Sequence, residues 1–130
     1  MQTIKQTYLI HAPLKEVWEA LVNPEYINNW GGGPAKMDSN IGTKFSLWDG
    51  TIWGKNIQVV PDKQLVQEWY SQEEKEWKKP SIVTFTLQEE KNGTQVDLLQ
   101  TDVPDEDGKN IEEGWKEYYL GPLKKYLEEK

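Results

Sequence analysis

Hydrophobic and polar residues change their period several times along this chain. Residues 3–11 alternate, with Ile4, Tyr8 and Ile10 on one side and Thr3, Lys5, Thr7 and Leu9 on the other. Period two with β-branched content predicts a strand. From Pro13 the spacing lengthens: Leu14, Val17, Trp18 and Leu21 recur at i, i+3, i+4 and i+7, while Lys15, Glu16 and Glu19 fall outside the stripe. That is an amphipathic helix, opened by a proline whose missing N–H costs nothing there. It ends at Asn23-Pro24, because a proline pushes its predecessor away from the helical region. Pro24 starts a second short helix over about 24–30, carrying Tyr26, Ile27 and Trp30, and Gly31-Gly32-Gly33-Pro34 stops it.

From there to about residue 102 the pattern is that of a sheet. Phe45 and Leu47 alternate with Ser46 and Trp48, and Asp49-Gly50 signals a hairpin. Residues 51–60 place Ile52, Gly54 and Asn56 on one side and Trp53, Lys55, Ile57 and Val59 on the other. After Pro61-Asp62, residues 64–71 return, with Leu65, Gln67 and Trp69 opposite Val66, Glu68 and Tyr70. Residues 72–79 read as a charged loop interrupted by Trp77. Residues 81–89 and 94–102 close a meander through Asn92-Gly93, expected as a type I′ turn. The adjacent Leu98 and Leu99 break the alternation, which a bulge or burial on both faces would explain.

A polar segment over 103–110 precedes a last helix, about 110–128. Ile111, Trp115, Tyr118, Tyr119, Pro122 and Tyr126 lie near one face of it, and Leu123 and Leu127 widen that face. Gly114 weakens the helix interior. Pro122 removes a hydrogen bond and crowds the carbonyl of Tyr118, so a kink near Gly121-Pro122 or a split into two helices is expected. The element order predicts an α+β fold of one domain over residues 1–130: a curved antiparallel sheet of six to seven strands around a long C-terminal helix, with two short helices after the first strand. A single helix of about 28 Å, at ~1.5 Å per residue, lying across a curved sheet leaves one end open for a ligand.

Composition narrows the functional classes. The 130 residues hold 22 acidic and 15 basic side chains, a net charge of −7 that repels a phosphate backbone, so no nucleic-acid partner is expected. No apolar run approaches the ~20 residues that cross a bilayer, and the N-terminus lacks an apolar block with a cleavage site. Cysteine is absent, which removes disulfides, thiol catalysis and cysteine-ligated metals and fits a cytoplasmic setting. Seven Trp, six Tyr and two Phe argue against disorder despite the charge.

Reactive constellations are scarce. His11 sits alone at the strand-to-helix junction and suits a backbone hydrogen bond better than general-base work. Glu68 is an acid candidate only if it faces the interior. Asp102, Asp105, Glu106 and Asp107 do not match a calcium loop and read as helix capping by Asp107 or Asn110 together with solvation. No metal, no cofactor and no catalytic residue is assigned. The aromatics are the functional lead: Trp30, Trp48, Trp53, Trp69, Trp115, Tyr118 and Tyr119 come from elements that meet at the helix–sheet interface and are the candidate walls of a cavity. Trp77, alone in its charged loop, is the candidate contact for a protein partner.

Several stretches together resemble a known family. They are Ala12-Pro13, Val17-Trp18, Asn23-Pro24-Glu25 and Trp30; then Gly42-Thr43-Lys44-Phe45, Trp48-Asp49-Gly50, Gly54, Val60-Pro61-Asp62-Lys63 and Trp69; then Asn92-Gly93-Thr94; and finally Gly114-Trp115-Lys116-Glu117-Tyr118-Tyr119 with Leu123-Lys124-Lys125-Tyr126-Leu127. In order and spacing these are similar to the C-terminal domain of the activator of the 90-kDa heat-shock protein ATPase, over about residues 8–128. Thr43 and Pro122 depart from its usual pattern. The resemblance implies a helix-grip fold, similar to lipid-transfer START domains and the birch-pollen allergen, whose members bind hydrophobic ligands and in a minority of cases are enzymes. In the co-chaperone the domain is joined to an N-terminal domain that makes the main grip on the chaperone, and that domain is not part of this sequence. The expected function is therefore non-enzymatic binding of a small hydrophobic molecule, with a link to stress. A co-chaperone-like interaction module comes next, and an enzyme acting on an apolar substrate third. Self-association through a sheet edge or the 72–79 loop is a further expectation.

Overall fold

The computed structural model describes residues 1–71 and 79–130; Trp77 and most of the charged loop lie outside the described residues. Strands β1 (Gln2–Ile10), β2 (Lys44–Leu47), β3 (Ile52–Val60), β4 (Gln64–Ser71), β5 (Ser81–Glu90) and β6 (Gly93–Val103) form a six-stranded sheet in the order β1-β6-β5-β4-β3-β2. Every pairing is antiparallel. Between β1 and β2 stand the helices α1 (Leu14–Val22) and α2 (Pro24–Trp30). The C-terminal helix consists of α3 (Gly108–Gly114), a π turn over Trp115–Tyr119 and α4 (Leu120–Glu129).

Alternation builds the core. β4 buries Leu65, Gln67, Trp69 and Ser71, β5 buries Ser81, Val83, Phe85 and Leu87, and β6 buries Thr94, Val96, Leu98 and Gln100. These positions share one face with Trp115, Tyr119, Leu120, Leu123 and Leu127 of the helix and Val17, Leu21, Ile27 and Trp30 of α1 and α2. Two features let the sheet bend around the helix. Gly54 of β3 lies so close to β4 that a Cβ would meet the Glu68 carbonyl oxygen, and a register shift falls between Asn56 and Gln58.

Of the two readings of Leu98 and Leu99, burial on both faces holds rather than a bulge: they pair in register with Gln6 and Lys5, Leu98 inward and Leu99 half-buried on the other face. Two local expectations change. The β5–β6 turn uses Lys91-Asn92, since Glu90 pairs with Gly93, and neither Asn92 nor Gly93 has the positive φ of a type I′ turn. Gly93 is needed for contact, because a Cβ there would collide with the carbonyl of Ile10. Asp107 precedes α3 but makes no side-chain cap.

Pro122 does not interrupt the helix, although Tyr119, three residues before it, departs from helical dihedrals at φ −118° and ψ −82°. The turn ahead of it widens instead: the Leu120 N–H bonds to the Trp115 carbonyl, five residues back. The π turn inserts one extra residue, and the buried stripe shifts by one position, from Trp115 and Tyr119 to Leu120, Leu123 and Leu127. Widening relieves the crowding that a proline ring imposes on the preceding turn. The far end is tied to α1: Lys130 Nζ donates to Glu16 at 3.0 Å and lies 4.5 Å from the Tyr26 ring centre. The hydrogen bond from Tyr26, then that from Lys130, holds the Glu16 carboxyl below the usual range.

Candidate functional site: an aromatic cleft beside the π turn

The site begins with the indoles. Trp69 projects inward from β4, and its Nε1–H donates to Gln67 Oε1 at 2.8 Å. Gln67 in turn donates to Asn56 Oδ1 at 2.9 Å, and Asn56 donates to the Asp38 carbonyl at 2.9 Å. Trp115, from the π turn, donates to Gln100 Oε1 at 2.7 Å, while Gln100 donates to Ser81 Oγ at 2.9 Å. Each indole is therefore fixed by an inward glutamine, so its N–H points into the sheet and its ring faces remain for packing.

Trp48 is positioned differently. Gly31 caps α2 with φ 109°, and Gly32 packs so tightly on Ile27 and Trp30 that a Cβ would lie 2.8 Å and 2.7 Å from their side chains. The chain then runs back beside the end of β2. The Trp48 backbone N–H donates to the Gly32 carbonyl at 2.8 Å and its indole N–H to the Gly31 carbonyl at 2.9 Å. Trp48 itself adopts φ 48°, a left-handed conformation rare for a bulky residue. The glycine run thus builds a seat for Trp48.

Around Tyr119 these rings form one cluster. Ring centres lie 4.6 Å away for Trp30, 4.8 Å for Trp115, 5.6 Å for Phe85, 5.9 Å for Trp69 and 6.2 Å for Trp48. Tyr119 is 1% exposed, and its hydroxyl has no hydrogen-bond partner among the described residues. Burial pushes this phenol well above the ordinary tyrosine value.

A cleft of about 680 Å³ borders one side of the cluster and lies between the C-terminal helix, the Trp48–Thr51 turn and the adjoining ends of β3 and β4. Trp48, Trp69, Trp115 and Tyr119 contribute its floor, Ile52 and Ile111 its apolar flanks, and Tyr118, 64% exposed, stands at its mouth. Gly114 lines it too, and Glu113 and Glu117 edge it one helical turn apart.

Of the seven aromatics singled out in the sequence, Trp48, Trp69, Trp115, Tyr118 and Tyr119 line this cleft. Trp30 is buried behind Tyr119, with its N–H on the Ala20 carbonyl, and does not line it. Trp53 stands on the opposite face of the sheet: it alternates with the inward Gly54 and stacks on Tyr70 at 5.5 Å. The two reactive candidates lie elsewhere. His11 Nδ1 is 3.2 Å from the Asn92 carbonyl oxygen, and Glu68 pairs opposite Lys55, out of phase with the buried residues of β4. No cluster of metal-ligating side chains forms among the described residues, and no described helix is long and apolar enough to cross a membrane.

A helix held against the concave face of an antiparallel sheet, with an aromatic cleft at one end, defines the helix-grip class. Within it, the family model described as "Activator of Hsp90 ATPase homolog 1-like protein" matches residues 11–128, and the chain belongs to that family. The human activator of 90 kDa heat shock protein ATPase homolog 1 is 27% identical over 124 residues, 94% of this chain but 35% of that protein. The chain thus spans about a third of the length of the curated relatives it matches. Among solved structures, an HSP90 activator from Plasmodium falciparum superposes with a TM-score of 0.86 at 22% identity, covering 98% of this chain and 96% of that one. A Cytophaga hutchinsonii protein solved in solution gives 0.79 at 29% identity, covering 99% and 95%.

Proposed function

We propose that this chain binds a small hydrophobic ligand in the aromatic cleft, without turning it over. The observation that carries the reading is the pairing of an open cleft of about 680 Å³ with indoles whose N–H groups are already satisfied inside the protein. Half-buried Trp48, Ile52 and Ile111 offer apolar surface over a floor of rings that need nothing polar from an occupant, which suits an apolar guest. The cleft is of a size that takes a drug-sized molecule. Neither His11 nor Glu68 lies beside it. Native mass spectrometry of protein purified from its own host tests the reading: a retained small molecule is expected, and it should be lost when Trp48 and Trp115 are replaced by alanine. Protein that carries nothing, and that binds no apolar probe in titration calorimetry, overturns it.

A second reading follows from the family. Relatives from human, mouse and Dictyostelium are named as activators of the 90 kDa heat shock protein ATPase. We infer that this chain corresponds to one domain of such activators, their C-terminal one, and that it contacts the large chaperone of its host. Co-precipitation of that chaperone from a stressed host extract supports this reading, and its absence under crosslinking counts against it.

A further inference from the structure

The cleft is apolar at its floor, and the edge that the helix gives it is acidic: Glu113 and Glu117 line it four residues apart. No Lys, Arg or His is among the described residues that line it. Glu113 and Glu117 are exposed and make no salt bridge among the described residues. They stand four residues apart on a helix, the spacing at which like charges repel. Among the described residues the ion pairs of Met1 with Asp105, Lys124 with Glu128 and Lys130 with Glu16 involve neither glutamate.

Resting on the reading of the cleft as a ligand site, we propose that its ligand is a hydrophobic organic cation: a flat apolar body carrying an ammonium or similar group. The apolar body sits against the half-buried Trp48, Ile52 and Ile111, and the cationic group stays at the mouth. There it meets the carboxylates of Glu113 and Glu117 and the exposed ring of Tyr118. A charge left at the mouth keeps most of its hydration, so it is not penalised by burial. Two carboxylates and an aromatic face attract a cation and repel an anion of the same size.

The test uses three probes of one shape in titration calorimetry with the full chain: β-naphthylethylammonium, β-naphthylethanol and β-naphthylacetate. At low salt the ammonium is expected to bind about fivefold more tightly than the alcohol, and the acetate more weakly than either. The preference should shrink towards unity as salt screens the rim. Glu113→Gln with Glu117→Gln should bring the ammonium to the affinity of the alcohol and leave the alcohol unchanged. Glu112→Gln, a change of net charge on the same helix but outside the cleft, should keep most of the preference. Equal binding of alcohol and ammonium by the unaltered chain, or a preference that survives the double substitution, overturns this inference and leaves the hydrophobic cleft standing. Failure of all three probes to bind overturns both.

Discussion

Gly121 lies directly against the carbonyl oxygen of Lys116, so close that a Cβ added at 121 would collide with it. This contact reaches five residues back, the span of the π turn that brings Trp115 and Tyr119 onto the cleft floor and Leu120, Leu123 and Leu127 into the core. The partner atom is backbone and cannot swing aside. Gly121→Ala is therefore expected to disturb the π turn and to destabilise the fold by about 2 kcal/mol, towards the upper part of the usual range for point changes. Urea unfolding measures the loss, and a reduced near-ultraviolet dichroism of the tryptophans would report the displaced rings. An unchanged midpoint would mean that the turn accommodates a methyl group and that glycine is not what permits it.

Gly114, before the π turn, is a different kind of glycine. Its φ is −62°, helical for any residue, and the nearest atom a Cβ would meet is Tyr118 Cδ2 at 3.8 Å, an ordinary contact. Gly114→Ala should raise stability by up to ~1 kcal/mol through helix propensity. The methyl group would also enter the cleft that Gly114 lines. The expected outcome is a higher urea midpoint together with weaker binding of β-naphthylethanol. A stabilised variant with unaltered affinity would place the bound ring elsewhere in the cleft.

The contrast between these glycines marks what could be read from the chain and what could not. Strands and helices were legible because their periods are carried by apolar side chains, and six strands with a C-terminal helix follow from them. The alternation of β3 already set Trp53 apart from Gly54, so the outward position of Trp53 was visible; only the expectation that every interface aromatic lines the cavity hid it. Gln67 and Gln100 were missed as site residues, yet each occupies an inward phase between or beside apolar residues, and a polar residue in that phase is the signal of a buried hydrogen bond. The π turn was not legible. Glycine followed by proline states that a regular turn fails, but whether the chain kinks, breaks or widens depends on which register best buries Tyr119 and Leu120. The seat of Trp48 was equally hidden, because it is made of glycine carbonyls brought from as far as seventeen residues away in sequence.

The glutamine supports carry a direct expectation. Gln100→Leu removes the acceptor of the Trp115 N–H and the donor to Ser81, leaving two buried polar groups unpaired. A cost of about 2–4 kcal/mol is expected, since each orphaned group costs ~1–3. Trp115→Phe placed on top of Gln100→Leu should cost less than the sum of the two single changes, by ~1 kcal/mol or more. Additive effects in urea unfolding would mean that the indole and the glutamine do not act together.

Tyr119 gives the clearest dependence on pH. Its ring is enclosed by five others, and its hydroxyl is buried without a partner among the described residues. Burial opposes the phenolate, so the folded-state value lies above the ordinary 10.0, whereas in the unfolded chain the group ionises near that value. Above about pH 10 the unfolded state therefore holds fewer protons than the native one, and stability falls as pH rises, with a slope approaching ~1.4 kcal/mol per pH unit from this residue. Below that pH both states are protonated and the group adds no slope. Tyr119→Phe should remove this alkaline loss. At neutral pH it should leave stability unchanged or raise it by ~1 kcal/mol, because it deletes a desolvated hydroxyl while keeping the ring. Urea unfolding of both proteins between about pH 7 and 11 compares the two curves, which should share one slope below about pH 10 and diverge above it. A Tyr119→Phe variant clearly weaker at neutral pH would mean that the hydroxyl holds a buried partner, such as an ordered water, and curves that stay parallel above about pH 10 would mean that burial does not hold this phenol above its ordinary value.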